Sequence, residues 1–501
     1  MTQTYDVVVV GFGYAGGIAA LAAHDLGARV VIVEKRADPG GISVCSAGGV
    51  RCTSDPAAAL AYLEATNAGT TPRAVLRVLA DGMSEMPQFV AALATAAGAI
   101  AVVRSAPGNY PFPGSDAFGF ATVDDIAGFD SAAEFPSVRG SPAGARLFKV
   151  VLENVRRRGI EVRLACPAER LLRSGERVVG VSTPSGDIMA RGGIVLCTGG
   201  FEGDAGLQRQ FWPMQNVLSA AIRTNTGDGL RLAQSAGASL WHMWHYHGSY
   251  GFRHPNPSYP FGVRLKRLPD WRPGDPWRDD VTMSWILVNR SGRRFMNEYE
   301  PYMQDTGHRP FEQMDFAAAR QANAPAILIV DEPGRRRYPL SAPTWHDDEV
   351  ATHYREASAQ DFDAAILRRF DTVHDLAAAF DCPADTLAAS IADWNARVEA
   401  PSPDPWGRPV GSRAAVRVPP FSAAEVWPIV SNTQGGPAHD ERQRVLDAYG
   451  DPILGLYEAG EIGSVFGHIY VSGGNLAECF VGGRVAGREA ALAAKNEGRA
   501  T

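Results

Sequence analysis

Apolar and polar positions follow two rhythms along this chain, and the first is set within the opening residues. Residues 5–10, YDVVVV, form an almost unbroken β-branched run. That is the length and purity of a strand buried on both faces of a parallel sheet. A glycine turn follows, and the Ala-rich residues 18–26, closed by Gly27, predict a helix. Residues 29–33, RVVIV, predict a second strand that ends at Glu34. Strand, helix and strand make one βαβ unit.

Further on, the pattern predicts a helix over 143–158 and strands over 160–164, 178–182 and 193–197. The strands suggest a small antiparallel layer that returns to the main sheet. A helix over 230–235 follows the turn-like TNTGDG of residues 224–229. Near position 241 the rhythm is lost. Residues 241–285 are rich in Trp, Tyr, His, Pro and Arg, with little periodicity. This predicts a long irregular lid or binding loop. A strand resumes at 285–288, and helices are expected to dominate from 317 onward, as over 361–370 and 384–398. The Pro-rich residues 401–419 read as a link before strand and turn signals return at 430–436.

Length adds the number of cores. With 501 residues the chain exceeds the roughly 250–300 at which a single core stops growing. Two domains are therefore expected, with the second inserted in the first. Composition, at 45% apolar and 21% charged, is that of an ordinary globular protein. A net charge of −7 argues against nucleic acid as a partner. Arg156, Arg157 and Arg158 precede Gly159 and read as a solvated helix end that complements the helix dipole. The six cysteines contain no CxxC pair, and Cys197 and Cys479 sit in apolar runs, so neither a disulfide framework nor a zinc site is expected. His242, His245 and His247 suggest a metal cluster by count, but their spacing favours loop histidines. No signal peptide and no transmembrane run of about 18 apolar residues is visible. The expectation is a cytoplasmic protein.

The first turn carries chemistry. Gly11 allows a tight turn, Gly13 lets backbone approach a pyrophosphate, and Gly16 lets helix and strand pack closely. The helix N-terminus then faces the phosphates, and Glu34 accepts hydrogen bonds from ribose hydroxyls. Thr198, Gly199 and Gly200 end another buried strand at a turn where backbone passes close to something.

Taken in order, GFGYAGGIAA, GGISVCSAGGV, VLCTGGFEGD, NTGDGLRLAQSAGA, ILVNRSGRRFMNE, NTQGG, GLYEAGE and SGGNLAECFVGGRVAG resemble the fumarate reductase/succinate dehydrogenase flavoprotein family over nearly the whole chain. The resemblance implies an α/β fold: a Rossmann-like FAD-binding domain (residues 1–255 and 431–501) with an inserted α+β capping, catalytic domain (256–430). It implies that Gly11, Gly13, Ala15, Gly16, Glu34 and Lys35 serve the dinucleotide end of the FAD. Gly40, Gly41, Ser43, Ala47, Gly48 and Gly49 would line the flavin, with Thr198, Gly199 and Gly200 among the binding residues. Asp228 would lie at the site edge, Glu461 on the ribityl chain, and the backbone of Asn475 and Leu476 at the pyrimidine end. Ile42 stands where the family's flavin-linking His would be, so the FAD is expected to be non-covalent.

The departures carry the substrate class. The dicarboxylate branch of the family places charged or protonatable groups at positions that here are Gly467, Val471, Asn432 and Tyr302. A bidentate Arg is the usual grip on a carboxylate, and Val cannot replace it. Phenols at Tyr302 and Tyr470 are instead similar to the 3-ketosteroid dehydrogenase branch, and Tyr470 with Ser472 is nearer its Δ4 type. That resemblance implies an enzyme acting on CH–CH groups of a small-molecule substrate, a neutral apolar cyclic ketone, with no motif naming the electron acceptor. Tyr470 and the Gly474 N–H are the candidate carbonyl donors. Tyr302, relayed through Ser472, is the candidate base, its phenol needing a neighbouring charge from Arg293, Arg294 or His468. Tyr299 competes with Tyr302 for that role, and Tyr470 also fits as a packed aromatic residue. An ene-reductase of the fumarate or urocanate kind, using Arg253, Arg264 and Arg267, is the alternative; an electron-transferring flavoprotein subunit is a third.

Overall fold

A computed structural model of the protein describes residues 3–214, 217–268, 281–299 and 306–500. Tyr302, the candidate base, lies outside them. The chain divides into two compact units. The first comprises Met1–Trp212, Ile222–Tyr246 and Asn432–Thr501, and the second Pro213–Ala221 and His247–Ser431. The expected division at 255/256 therefore falls at 246/247. The cause is a strand, Tyr246–Arg253, that belongs almost wholly to the second unit's sheet.

The first unit is built on strand β1, Gln3–Val10, flanked in parallel by β2, Val30–Val33, and by Gly186–Leu196. Val8 sits level with Val31 on one side and Ile194 on the other. Pro452–Glu458 extends the parallel order beyond Gly186–Leu196, and Glu161–Arg163 extends it beyond β2. Covered on both faces, these strands need the continuous apolar runs seen in the sequence. Arg170–Ser174 and Arg177–Thr183 add the expected antiparallel layer. Helix α1, Tyr14–Asp25, lies against the C-terminal helix Gly474–Ala500. Their backbones meet closely: a Cβ at Gly487 would stand 2.1 Å from the Ala19 carbonyl oxygen. A separate three-stranded sheet, ordered Gly49–Thr53, Phe118–Ile126, Ala99–Ser105, completes the unit.

The second unit carries its own sheet, in which Trp285–Val288, Ala326–Val330, Phe421–Thr433, Tyr246–Arg253, Gly262–Leu265 and Ser341–Ala342 follow one another. Two sequence expectations are corrected here. Residues 246–265 contain an antiparallel hairpin, not an irregular lid, with Gly251 opposite Arg264. The region after 317 contains the strand Ala326–Val330, and residues 368–370 form a strand, not the end of a helix. Helices Val373–Ala379 and Ala384–Glu399 supply Leu376, Leu387, Ile391 and Trp394 to the apolar layer over Ile286, Ile327 and Ala423. A buried ion network holds the GRRFMNE segment. Arg294 pairs with Glu298 at 2.6 Å and Asp404 at 2.6 Å, and fully buried Arg408 donates to the carbonyls of Trp285 and Met283. Among the described residues no helix is long and apolar enough to cross a membrane.

Candidate active site

The dinucleotide end forms where β1 gives way to α1. Gly11 has φ +99°, and a Cβ there would stand 2.3 Å from the Cys197 carbonyl oxygen. At Gly16 it would meet the Gly11 carbonyl oxygen at 1.9 Å. Only glycine fits either position, so the turn brings the first N–H groups of α1, including those of Ala15 and Gly16, to one point. Ser43 Oγ accepts the Tyr14 N–H at 3.1 Å and ties the Gly41–Cys45 turn to this helix end. Glu34 is held by its own carboxylate: Oε2 accepts the Phe12 N–H at 2.8 Å and Oε1 the Arg36 N–H at 2.9 Å. Lys35 and Asp228 are brought together, Nζ to Oδ2 at 2.5 Å, with Thr226 Oγ1 at 3.1 Å from the same Nζ.

Beyond Cys197 the chain turns through Thr198, Gly199 and Gly200 into a group of buried oxygens. A Cβ at Gly200 would lie 2.1 Å from Thr433 Oγ1, 2.5 Å from Glu461 Oε1 and 2.8 Å from Glu202 Oε2. Glu461 Oε1 accepts the Thr433 N–H at 2.9 Å, and Glu202 Oε1 accepts from Asn225 at 2.8 Å. Burial pushes the Glu461 carboxyl up to about 8. Glu202 is raised well above the usual carboxylate range by burial and by Glu461 beside it. Glu202 Oε2 and Thr198 Oγ1 are buried without a hydrogen bond. Buried acceptors of this kind call for a donor, and a polyhydroxyl chain crossing bare Gly200 supplies several. The site fits the ribityl part of FAD on that ground. Glu202 was missed from sequence, although its place two residues after Gly200 in TGGFEGD was a usable signal. Around the flavin-lining segment, Ala47 is exposed, Gly48 is buried, and Gly41 and Gly49 are half-buried.

The last segment joins these groups to the C-terminal helix. Tyr470 is buried, 5.2 Å edge-on to Phe466, and its Oη accepts the Asn475 N–H at 3.3 Å. The Gly474 N–H donates to the Val471 carbonyl at 2.8 Å. The Gly474 N–H, expected as the second donor to a substrate carbonyl beside Tyr470, is engaged by Val471, and the N–H that meets the Tyr470 phenol is that of Asn475. Ser472 is fixed through its backbone. Its carbonyl accepts from Arg51 Nε at 2.7 Å, and its N–H donates to Asn109 Oδ1 at 3.2 Å. Leu476 is half-buried one residue beyond Asn475. Glu478 accepts from the Val465 N–H and from the Asn475 amide, and burial raises its carboxyl to about 8.

The histidines of residues 242–245 serve this segment. His242 Nδ1 lies 2.9 Å from the Ser464 carbonyl and Nε2 2.9 Å from the Thr70 carbonyl, while His245 Nδ1 lies 2.8 Å from the Phe466 carbonyl. They leave no space at Gly467: a Cβ there would stand 2.3 Å from Thr70 Oγ1 and 2.4 Å from the His242 ring. Arg294, one candidate for tuning a phenol, is committed to Glu298 and Asp404 instead. Tyr299 is fully buried in the second unit.

A glycine turn at a helix N-terminus, a cluster of buried oxygens that fits a polyhydroxyl chain and a buried phenol are features that a flavin-dependent redox site requires. The FAD binding domain family matches residues 6–476, and the chain belongs to that family. It is an FAD-dependent oxidoreductase. The chain is 28% identical to a 4-oxocyclohexanecarboxylate 2-dehydrogenase of Sinomonas cyclohexanicum, over 91% of this chain and 87% of that one. It is 27% identical to a 3-oxosteroid 1-dehydrogenase of Mycolicibacterium smegmatis, over 98% of each. The fold matches the crystal structure of a 3-ketosteroid Δ1-dehydrogenase from Sterolibacterium denitrificans in complex with 1,4-androstadiene-3,17-dione. That match has a TM-score of 0.80 and 23% identity, covering 98% of this chain and 100% of that one.

Proposed function

We propose that this protein is a dehydrogenase with non-covalent FAD that introduces a carbon–carbon double bond conjugated to a ketone of a neutral, apolar cyclic substrate. The observation that carries this reading is the buried Tyr470 phenol, set among residues that bear no charge where a carboxylate grip would stand. Val471 is fully buried beside it, and position 467 has no space for a side chain. The relatives' names support the ketone, since both specify an oxo-substituted ring compound.

Bound FAD supplies the hydride acceptor. Tyr470 donates a hydrogen bond from its phenol to the substrate carbonyl as negative charge grows on that oxygen, and keeps its proton when the product ketone forms. The Asn475 N–H on the phenol oxygen polarises the O–H and strengthens this donation. Backbone anchoring of Ser472 by Arg51 and Asn109 keeps the tyrosine in place. In this reading Tyr302 is the base that takes the α-proton.

The test is anaerobic mixing of the yellow holoprotein with saturated 3-ketosteroids and simpler cyclic ketones while the flavin absorption band is followed. Bleaching by at least one ketone is expected. If none of the panel bleaches a flavin that dithionite still reduces, the proposal fails.

A further inference from the structure

We propose that the second unit carries a binding site for a phosphate-class dianion, in a cleft that the flavin chemistry does not use. The cleft has a volume of about 450 Å³ and is lined by residues 335–339, helix Ala359–Ile366, strand Arg368–Phe370 and Ser422. Four arginines are among its lining residues: Arg335, Arg336, Arg337 and Arg369.

Their charge is not balanced within the protein. Arg335 meets Glu332 with two hydrogen bonds of 2.9 Å, Arg336 meets the same carboxylate at 2.8 Å, and Arg369 lies 3.5 Å from it. Arg337 reaches the Thr282 carbonyl at 3.5 Å. Asp363, the carboxylate that lines the cleft, spends its oxygens on the N–H groups of Leu340 and Ser341, at 2.7 and 2.8 Å. Even with Asp363 fully ionised, four cations face two carboxylates. Three guanidiniums around the single Glu332 repel one another, and a dianion relieves that repulsion.

Ser422 adds an observation of a different kind. It is fully buried, and its Oγ makes no hydrogen bond. In the antiparallel pairing it stands directly opposite Arg369, so the two side chains leave the sheet on the same face. A buried hydroxyl without a partner costs stability. An oxyanion that takes its proton while accepting from the Arg369 fork satisfies both groups at once. Planar forks from several arginines suit the oxygens of a phosphate better than a single carboxylate. The volume leaves space for more than the bare anion, as for a phosphate monoester or a diphosphate.

Calorimetric titration of FAD-saturated holoprotein, at constant ionic strength, with inorganic pyrophosphate and separately with ADP tests the proposal. Saturable binding is expected, weakened about tenfold by Arg369→Ala and by Arg336→Ala, since one charge-assisted hydrogen bond is worth that factor. Both arginines are exposed, so the variants fold, and an unchanged flavin-to-protein absorbance ratio verifies it. Ser422→Ala weakens binding by a smaller factor, and Arg156→Ala, on the first unit, leaves it unchanged. Tighter ADP than pyrophosphate marks a nucleotide as the ligand, and equal affinities mark the phosphates alone; both support the site. Absence of saturable binding to either anion, or binding that the two arginine variants leave intact, overturns it.

Discussion

Arg51 is the buried side chain that fixes the backbone two residues beyond Tyr470. Its guanidinium is buried, at 1% exposure, and donates to the Ser472 carbonyl at 2.7 Å and the Ala106 carbonyl at 2.6 Å. It lies 4.1 Å from the centre of the Phe120 ring. Arg51→Met keeps the volume and removes the charge. Two hydrogen bonds from a charged donor are worth about 3–6 kcal/mol together, and the ring contact about 1 kcal/mol more. Relief of the buried cation's desolvation returns several kcal/mol. The net loss of stability is about 2–4 kcal/mol, read from urea unfolding of the holoprotein. The catalytic effect is separate, because the released carbonyl lies two residues from Tyr470. A shift of about 1 Å at a reacting group costs on the order of 100-fold in rate. Stopped-flow flavin reduction by a ketone substrate should slow by that order, with the concentration for half-maximal rate little changed. Arg51→Lys, which retains the charge and reaches one carbonyl, should recover part of the rate. If Arg51→Met holds its FAD and is reduced within about twofold of the parent rate, the reasoning that Arg51 positions Tyr470 is refuted.

Three further outcomes follow from the site. Tyr470→Phe should keep FAD yet lose about 100- to 1,000-fold in ketone-dependent flavin reduction, the usual cost of one oxyanion donor; near-parental rates would move carbonyl polarisation elsewhere. Gly200→Ala places a Cβ 2.1 Å from Thr433 Oγ1 and 2.5 Å from Glu461 Oε1, so the purified protein should emerge with a lower flavin-to-protein absorbance ratio, and full occupancy would contradict the assigned cradle. The FAD-free protein should lose stability as pH rises from 6.5 to 8. Glu478 is raised from 4.5 to about 8, so its contribution is complete below 4.5 and lost as pH climbs through 8. Buried His439, lowered from 6.5 to about 4, contributes above 6.5 and loses that contribution as pH falls through 4. Above 6.5 the buried carboxyls therefore set the slope together, Glu461 being raised to about 8 as well, each contributing about 1.4 kcal/mol per pH unit. Glu478→Gln should make the fall of the thermal midpoint over that window shallower, leaving the share of Glu461 and the other raised carboxyls, and a parent already flat there would refute the account.

What was legible in the sequence was what depends on neighbours along the chain. The run YDVVVV and the spacing of Gly11, Gly13 and Gly16 are local statements, and β1 and α1 take the form they dictate. The hairpin at 246–265 was illegible for a physical reason. Its inward positions include Tyr246, Gly248, Tyr250 and Phe252, so a small residue and phenols mask an alternation that the burial pattern makes plain. Ala326–Val330 is too short for periodicity to separate strand from helix. The network of Arg294, Glu298, Asp404 and Arg408 was hidden because its partners lie up to 125 positions apart, as Met283 and Arg408 do.

The same distinction governs the candidate site and sharpens its meaning. From sequence, Gly467 is a missing charge, one of several neutral residues where a carboxylate-binding branch has polar ones. In the structure its bareness is enforced from two other parts of the chain, by Thr70 Oγ1 and by the His242 ring. His242 itself lies in the left-handed region, at φ +54°, with its two ring nitrogens 2.9 Å from the Ser464 and Thr70 carbonyls. Strain of this kind persists only where the surroundings over-determine it. Two of the three histidines that by count alone suggested a metal cluster, His242 and His245, are thus the pieces that shape the 464–467 segment. They close it against any side chain at 467. A carboxylate grip could not be restored there by one substitution, because His242 and its hydrogen bonds would have to move as well. The missing side chain at 467 is therefore a property of the packed first unit, not of one replaced residue.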